Sequence, residues 1–359
     1  MRPTWSFVAI LAFAATAPAA EPLAVGDPAP PLRVKEFVQG DPVPALEKGT
    51  VYVVEFWATW CAPCRAAAPH LAHLQKQYPA VVVIGVSVAE EDFRKVRFFV
   101  DRMGGKMDYR VATDDVPAGK TADDGAMTRT WRAASGQDGL PTAFVVGKDG
   151  RIAWVGEPSQ MDAPLADVVA GRWDVDAAAA RYKEDKARER KVLAAIAKIK
   201  RAAGDGDLRS IIAVVDEAVH GDPAAERLLG RIKFEAVWEL GGGEKAAAYG
   251  RTLIDGPLKD DAQRLRQLAW FVVAPQRLEQ KPPDPAVLRL ALDAAARAND
   301  IQKGEDADVL AALAQAHFLS GDVAKAVELG EAAAKMQPDD RELRRLLAAY
   351  RQAKARGKE

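Results

Sequence analysis

Cysteine, histidine and net charge are all scarce in this sequence. Two cysteines and four histidines among 359 residues are too few for a four-ligand zinc site without help from carboxylates, so we expect no metal cofactor. A formal net charge of -1 gives no reason to expect nucleic acid or another strongly charged partner. Structural disulfides of exported proteins usually come in several widely spaced pairs, and a single pair does not fit that class of scaffold.

Long apolar segments are also missing after the first 20 residues, because none of the later ones suits the ~20-residue span of a membrane helix. The N-terminus has Arg2, an apolar run from Trp5 to Ala15 and small residues from Ala17 to Ala20. This pattern predicts a signal peptide over residues 1–20, with an uncleaved anchor as the alternative. We therefore expect a periplasmic or secreted protein.

The remaining chain divides by its sequence pattern into two parts. Apolar residues make up 49% and charged residues 28%, which suits two folded domains at this length. In residues 21–173, Val51–Trp57 and Val81–Val88 are almost unbroken apolar runs, as in strands buried on both faces. Helical spacing runs from Cys61 to Tyr78, and Pro141–Gly156 reads as a hairpin. We also predict an amphipathic helix over Glu90–Met103, a short helix near 126–133 and a helix around Met161–Val169. This pattern predicts an α/β domain with a mixed sheet flanked by helices.

Residues 174–359 are rich in alanine, leucine, arginine and glutamate and show no convincing strand. We predict a linker helix over 174–203 and an all-α, helical-repeat domain over 204–359. The segment Ala307–Asp340 spans 34 residues, which is the tetratricopeptide period, although Gly330 replaces a usual large residue. Such a domain is expected to bind a protein partner. Helix breakers fall at 204–206, 221–223, 241–243, 281–285 and 321–322.

The two cysteines, Cys61 and Cys64, lie where the first long strand gives way to a helix. A disulfide closing so small a loop removes little entropy from the unfolded chain, so chemistry explains the pair better than stability does. A helix N-terminus favours a thiolate, and CxxC pairs there titrate below the ~8.5 of free cysteine. We expect Cys61 to be the exposed nucleophile and Cys64 the buried resolving thiol of disulfide exchange. Pro63 suits the first helical turn.

The segment Glu55–Cys64, "EFWATWCAPC", resembles the active-site segment of the thioredoxin superfamily, in particular the TlpA/ResA type of exported thiol-disulfide reductase. The resemblance covers residues 22–172. Pro69 matches the proline that kinks the family's active-site helix, and Gly139–Thr142 matches its cis-proline loop. The resemblance implies a thioredoxin fold and a protein disulfide oxidoreductase whose redox group is the Cys61–Cys64 disulfide, without a bound cofactor.

The resemblance also implies roles for other residues. Glu55 takes the place of the family's buried carboxylate, whose raised pKa lets it exchange a proton with Cys64. Trp60, Leu140 and Pro141 are expected to contact the bound chain of a disulfide-containing protein substrate. Relatives are re-reduced by a membrane thiol-transfer protein, which is the expected electron donor here. The sequence departs from many relatives at Ala67, where they carry a glutamate.

Other interpretations of the cysteine pair stay open at this point. The chain could be an interaction scaffold whose helical repeats do the main work, with a secondary redox site. It could also be a thiol peroxidase, although no separate peroxidatic cysteine is present. The intact set of Glu55, Cys61, Cys64 and Pro141 favours the oxidoreductase, because a vestigial domain need not keep all four.

Overall fold

A computed structural model describes residues 22–275 and 283–357. The chain divides into two compact units, Met1–Asp185 and Lys186–Glu359, called here the sheet unit and the helical unit. The division falls within one long helix, Val175–Gly204, so the predicted boundaries at 173 and 203 stay predictions. The predicted signal peptide over 1–20 lies outside the described residues.

The sheet unit is built on one mixed six-stranded sheet with the order β1-β4-β3-β2-β5-β6. The three neighbours β2, β3 and β4 run parallel, whereas β1, β5 and β6 pair antiparallel at the two sides. This is the mixed sheet that the strand pattern predicted. The strands are β1 Val34–Gln39, β2 Val51–Trp57, β3 Val81–Ser87, β4 Arg110–Asp114, β5 Thr142–Val146 and β6 Ile152–Gly156.

Both faces of the sheet are buried, which explains the unbroken apolar run of β2. Every residue of β2 is buried, because a central strand of a covered sheet meets packed side chains on each side. Val53 and Trp57 pack into the cluster that contains both cysteines. Phe56 packs on the opposite face with Trp131 and Phe144, whose rings meet edge to face at 5.3 Å.

The helices of the sheet unit begin and end mostly where predicted, with two differences. The helix expected from Glu90 begins only at Arg94, since the chain first leaves β3 through an irregular turn. The short helix expected near 126–133 is a π-helix over Thr128–Ala133. Its start is fixed by buried Asp114, which accepts hydrogen bonds from the N–H groups of Met127 and Thr128 at 2.8 and 2.9 Å. The α-helices are α1 Ala62–Gln77, α2 Arg94–Met103 and α3 Asp162–Val169, with 3-10 turns at Gly104–Met107, Ala122–Asp124 and Pro158–Gln160.

The helical unit contains helices and no strand among its described residues, as predicted. Aspartates recur at the helix starts, where their side chains accept hydrogen bonds from the first free N–H groups; Asp222 and Asp306 are examples. Glycine–aspartate pairs in the sequence therefore mark real boundaries, while the predicted breaker at 281–285 lies partly outside the described residues. The helix that contains the division is α4 Val175–Gly204, and those that follow are α5 Leu208–Val219, α6 Pro223–Glu239, α7 Gly243–Asp255, α8 Ala262–Val273, α9 Pro285–Gln302, α10 Ala307–Leu319, α11 Val323–Met336 and α12 Arg341–Arg356.

The segment Ala307–Asp340 forms the helix pair α10 and α11, joined by a short turn at 320–322. Gly330 has a packing reason for its small size, because a Cβ there would lie 3.3 Å from side-chain atoms of Leu347 and Tyr350 on α12. The tetratricopeptide assignment itself stays a prediction. Across the described residues, no helix combines the length and apolarity that a membrane crossing requires.

Candidate active site

The two cysteines form a disulfide at the start of α1, directly after β2. Cys61 is the N-cap residue, and its Sγ accepts the backbone N–H of Cys64 at 3.2 Å. The backbone N–H of Cys61 in turn donates to the carbonyl of Ala58 at 3.1 Å. This arrangement places Cys61 at the positive end of the helix, where a thiolate is stabilised after reduction. Pro63 lies in the first turn and Pro69 inside the helix, as predicted.

The expectation that Cys61 is exposed is wrong for the oxidised state described by the structure. Cys61 is 4% exposed and Cys64 is 2% exposed. The physical reason is that the disulfide bond holds the Cys61 sulfur against Cys64, which itself lies in the core beneath α1. The neighbouring Trp60 is 61% exposed instead. The surface next to the disulfide is therefore formed by Trp60, Ala62 and Pro63, which are exposed, while both cysteines are buried.

Trp60 is exposed, but a hydrogen bond holds its side chain in place. Its indole N–H donates to the backbone carbonyl of Ala89 at 2.9 Å, which anchors the ring at its polar edge. Trp57 is buried and packs against Phe99, with ring centroids 5.6 Å apart. The two tryptophans of the motif thus differ: Trp60 faces solvent beside the disulfide, and Trp57 is part of the core.

The loop that carries Leu140 and Pro141 meets the same edge of the sheet as the cysteines. Thr142 pairs with Phe56 in the β5–β2 register, so Pro141 lies level with the end of β2, from which the chain continues to Cys61. The Leu140–Pro141 peptide is cis. Leu140 is half-buried and packs against the core cluster that contains both cysteines. The structure therefore places Leu140, Pro141 and the segment that carries Trp60 and the disulfide at the same edge of the sheet.

Glu55 lies inside the sheet on the cysteine side. It is 1% exposed and shares the face of β2 that carries Val53 and Trp57. Burial raises the pKa of the Glu55 carboxyl from 4.5 to about 8, because an anion loses its hydration there. Its Oε2 has no hydrogen-bond partner among the described residues.

The space around the Glu55 carboxyl depends on Gly85, its partner in the β2–β3 register. A Cβ at Gly85 would lie 3.0 Å from the Tyr109 ring, 3.2 Å from Trp57 Nε1 and 3.4 Å from Glu55 Oε2. Glu55, Trp57 and Tyr109 therefore surround one small residue. The pKa of Tyr109 is raised well above its usual range, first by burial and then by the charge of Glu55.

Glu90, which is 7% exposed, is a residue of the site that the sequence pattern did not reveal. It accepts hydrogen bonds from the backbone and hydroxyl groups of Thr59 and from the hydroxyl of Ser87. The available signal was a carboxylate just beyond the carboxyl end of a buried parallel strand, which is where α/β proteins place functional groups. In the sequence alone, Glu90 reads instead as the first residue of an amphipathic helix.

Metal-binding residues do not converge near the disulfide. Within residues 22–275 and 283–357, no group of three or more His, Cys, Asp or Glu side chains could hold a metal ion. On α1, His70 lies with its Nε2 2.7 Å from Asp162 Oδ1 at the start of α3. His73 is exposed on the same helix.

Comparison with known proteins identifies the family to which the chain belongs. The redoxin family model matches residues 24–169. Protein FixW of Rhizobium leguminosarum is 32% identical over 162 residues, which cover 43% of this chain and 70% of that protein. The chain belongs to the redoxin family of thioredoxin-like proteins. The match covers the sheet that positions the disulfide, so this redoxin's sheet unit is a thioredoxin-like oxidoreductase.

Other relatives match this redoxin over shorter stretches. The thiol-disulfide oxidoreductase ResA of Bacillus anthracis is 30% identical over 107 residues, or 29% of this chain and 53% of that protein. The thiol:disulfide interchange protein HelX of Rhodobacter capsulatus is 33% identical over 107 residues, or 30% of this chain and 52% of that protein. The redoxin therefore spans about half the length of these two relatives.

Solved structures of thioredoxin-like proteins also match this redoxin. A putative thiol:disulfide interchange protein DsbE from Chlorobium tepidum is 23% identical, with a TM-score of 0.31, over 42% of this chain and 99% of that one. StoA from Bacillus subtilis is 18% identical, with a TM-score of 0.29, over 39% of this chain and 98% of that one. Because these scores are low, the family assignment depends on the sequence matches.

Proposed function

We propose that this protein is exported and reduces disulfides in other proteins through a Cys61–Cys64 dithiol. The observation that carries the proposal is the position of the pair: Cys61 caps α1, Cys64 is buried one turn further on, and the Pro141 loop lies at the same sheet edge. A nucleophile at the helix N-terminus and a resolving thiol behind it are the parts that disulfide exchange needs.

The exchange balances as two thiol–disulfide steps. In the reduced protein, the Cys61 thiolate attacks one sulfur of the client disulfide, whose S–S bond breaks and whose other sulfur leaves as a thiolate that takes up a proton. The Cys64 thiol then loses its proton and attacks Cys61 Sγ. This forms the Cys61–Cys64 disulfide described here and releases the second client thiolate. Two electrons pass from the dithiol to the client.

Glu55 is the proposed proton partner of Cys64 in the second step. Its pKa of about 8 is close to the ~8.5 of a free thiol. A proton can therefore move between the carboxyl and the thiol at little cost in free energy. The Glu55 carboxyl lies on the same face of the sheet as the cysteines, which makes it available from inside the protein.

Client contact is assigned to Trp60, Leu140 and Pro141. The exposed Trp60 ring offers an apolar surface beside the disulfide, and its anchored N–H limits its motion. The helical unit is proposed to bind a protein partner through tetratricopeptide-like helix pairs such as α10 and α11. A membrane thiol-transfer protein is the proposed electron donor, and the signal peptide over 1–20 would export the chain to the periplasm or beyond.

Insulin reduction with dithiothreitol tests the activity. The wild type should accelerate insulin precipitation, and Cys61→Ser should lose the acceleration. Equal rates for both proteins would refute the proposal. A Cys64→Ser variant should instead keep the first step and accumulate a mixed disulfide on Cys61, detected by mass spectrometry of the intact adduct. In the native host this adduct names the client and shows in which compartment the exchange occurs.

A further inference from the structure

The carboxylate of Glu90 is held beside the site although the exchange described above does not use it. It accepts three hydrogen bonds: from the Thr59 backbone N–H at 2.6 Å, the Thr59 hydroxyl at 2.7 Å and the Ser87 hydroxyl at 2.9 Å. An ionised carboxylate only accepts, so three donors fit it as an anion. The ion pairs found among the sheet unit's described residues involve other carboxylates.

These hydrogen bonds join the carboxyl ends of two parallel strands. Ser87 is the last residue of β3 and pairs with Trp57, the last residue of β2. Thr59 follows two residues after Trp57 and precedes Cys61 by two. The Glu90 side chain therefore holds the segment that connects β2 to the cysteine helix.

The same segment is fixed at two further points. The carbonyl of Thr59 accepts a hydrogen bond from Arg65 Nη1 at 3.0 Å. The indole N–H of Trp60 donates to the carbonyl of Ala89. Ala89 has a φ of 54°, a left-handed conformation that costs about 1–2 kcal/mol for a residue with a side chain. The turn of residues 89 and 90 keeps this conformation. It holds the two residues that precede Cys61, because Thr59 binds Glu90 and Trp60 binds the carbonyl of Ala89.

We propose that Glu90 is a positioning residue for Cys61, and that its negative charge keeps the Cys61–Cys64 pair more reducing than the helix N-terminus alone would make it. The proposal depends on the proposed function, because it concerns the same thiol–disulfide exchange. Its two parts are separable: the hydrogen bonds fix the 58–61 segment, and the charge acts on the thiolate.

The direction of the charge effect follows from which state carries the extra anion. The helix N-terminus stabilises the Cys61 thiolate and with it the reduced protein. The Glu90 carboxylate, bound to Thr59 two residues before Cys61, repels that thiolate and destabilises the reduced protein. A less stable reduced form gives up its electrons more readily. Conversely, a dithiol whose reduced form is stabilised is a strong oxidant.

Glu90→Gln separates charge from shape. An amide oxygen still accepts from the Thr59 backbone and from Ser87, while the amide NH₂ donates to the Thr59 hydroxyl, so the connections are kept and the charge is lost. Glu90→Ala removes both the hydrogen bonds and the charge. Glu91→Gln is the matched control, because Glu91 is exposed one residue away and its removal changes the net charge by the same amount.

Full-length proteins are equilibrated with reduced and oxidised glutathione, quenched with acid and analysed by mass spectrometry. Relative to the control, Glu90→Gln should shift the equilibrium toward the dithiol about threefold, from the Coulomb energy of a partly screened charge. This equals a potential about 14 mV less reducing, since tenfold corresponds to about 30 mV. The pH midpoint of Cys61 alkylation by iodoacetamide should fall in the same variant. Glu90→Ala should in addition slow the first exchange step with a client disulfide.

Equal equilibrium constants and alkylation midpoints for Glu90→Gln and Glu91→Gln would overturn the proposal while leaving the exchange reaction intact. A wild type that does not equilibrate with glutathione at all would instead contradict the proposed function. If Glu90→Ala fails to fold, shown by circular dichroism, Glu90→Gln still decides the charge effect. Positioning is then decided by Ser87→Ala, which removes one hydrogen bond to Glu90 and keeps its charge: an exchange rate equal to that of the wild type would contradict positioning.

Discussion

The buried carboxyl of Glu55 should make the stability of the sheet unit fall as the pH rises. Below pH 4.5 the carboxyl is protonated in both the folded and the unfolded chain, so its burial carries no ionisation cost. Between pH 4.5 and about 8, the unfolded chain releases a proton that the folded chain keeps. The free energy of unfolding therefore drops by about 1.4 kcal/mol per pH unit over this window.

The total effect is large compared with the stability of a domain. Across the window from 4.5 to about 8, the loss amounts to about 5 kcal/mol, whereas whole domains are stable by about 5–15 kcal/mol. Glu55→Gln removes the ionisable group with little change of shape. The wild type and the variant should therefore differ little in pH dependence below pH 4.5. Between pH 4.5 and pH 8, the free energy of unfolding of the variant should rise steadily relative to that of the wild type.

Urea unfolding of the oxidised protein at a series of pH values measures this difference. Hydrogen exchange in peptides from β2 and β3 reports on the sheet unit without a contribution from the helical unit. Glu91→Gln serves as the control, because an exposed glutamate should leave the pH dependence unchanged. Parallel pH profiles for the wild type and Glu55→Gln would show that Glu55 ionises in the folded protein as it does in water, and would refute the reasoning.

Two further substitutions test the backbone around the site. Gly85→Ala places a Cβ 3.0 Å from the Tyr109 ring and should lower the free energy of unfolding by about 1–3 kcal/mol; Gly105→Ala, with open space around it, should change little, and equal urea midpoints would contradict the packing argument. Ala89→Gly relieves a φ of 54° and should stabilise the sheet unit by up to about 1 kcal/mol, because the relief exceeds the added entropy of the unfolded chain. A lower thermal midpoint for Ala89→Gly would show that its methyl group contributes packing.

The sequence was sufficient to predict the elements whose patterns are local. β2 reads as a buried strand because every one of its residues meets packed side chains, and α1 begins at the cysteines because Pro63 and the helical spacing fix its first turn. The mixed sheet follows from the order of these elements. The role of Glu55 comes from the resemblance of Glu55–Cys64 to the thioredoxin active-site segment, in which a buried carboxylate takes this position.

What the sequence did not predict depends on contacts between distant segments. Glu90 reads as the first residue of an amphipathic helix, but its carboxylate is bound to Thr59 and Ser87, so α2 begins only at Arg94. The π-helix over Thr128–Ala133 likewise follows from donors that meet Asp114 in β4. The low exposure of Cys61 depends on its redox state, which no residue pattern encodes.

The two buried glutamates near the cysteines show how the same side chain is used in two ways. Glu55 lies in the apolar sheet with its Oε2 unpartnered among the described residues, so burial alone acts on it and favours the protonated form. Glu90 is buried almost as deeply but receives three hydrogen-bond donors, which stabilise an anion. A carboxyl near its titration point suits proton exchange with Cys64, whereas a fixed anion suits control of Cys61. Exchanging the two environments, by removing donors at one site or adding them at the other, should therefore disturb different steps of the same reaction.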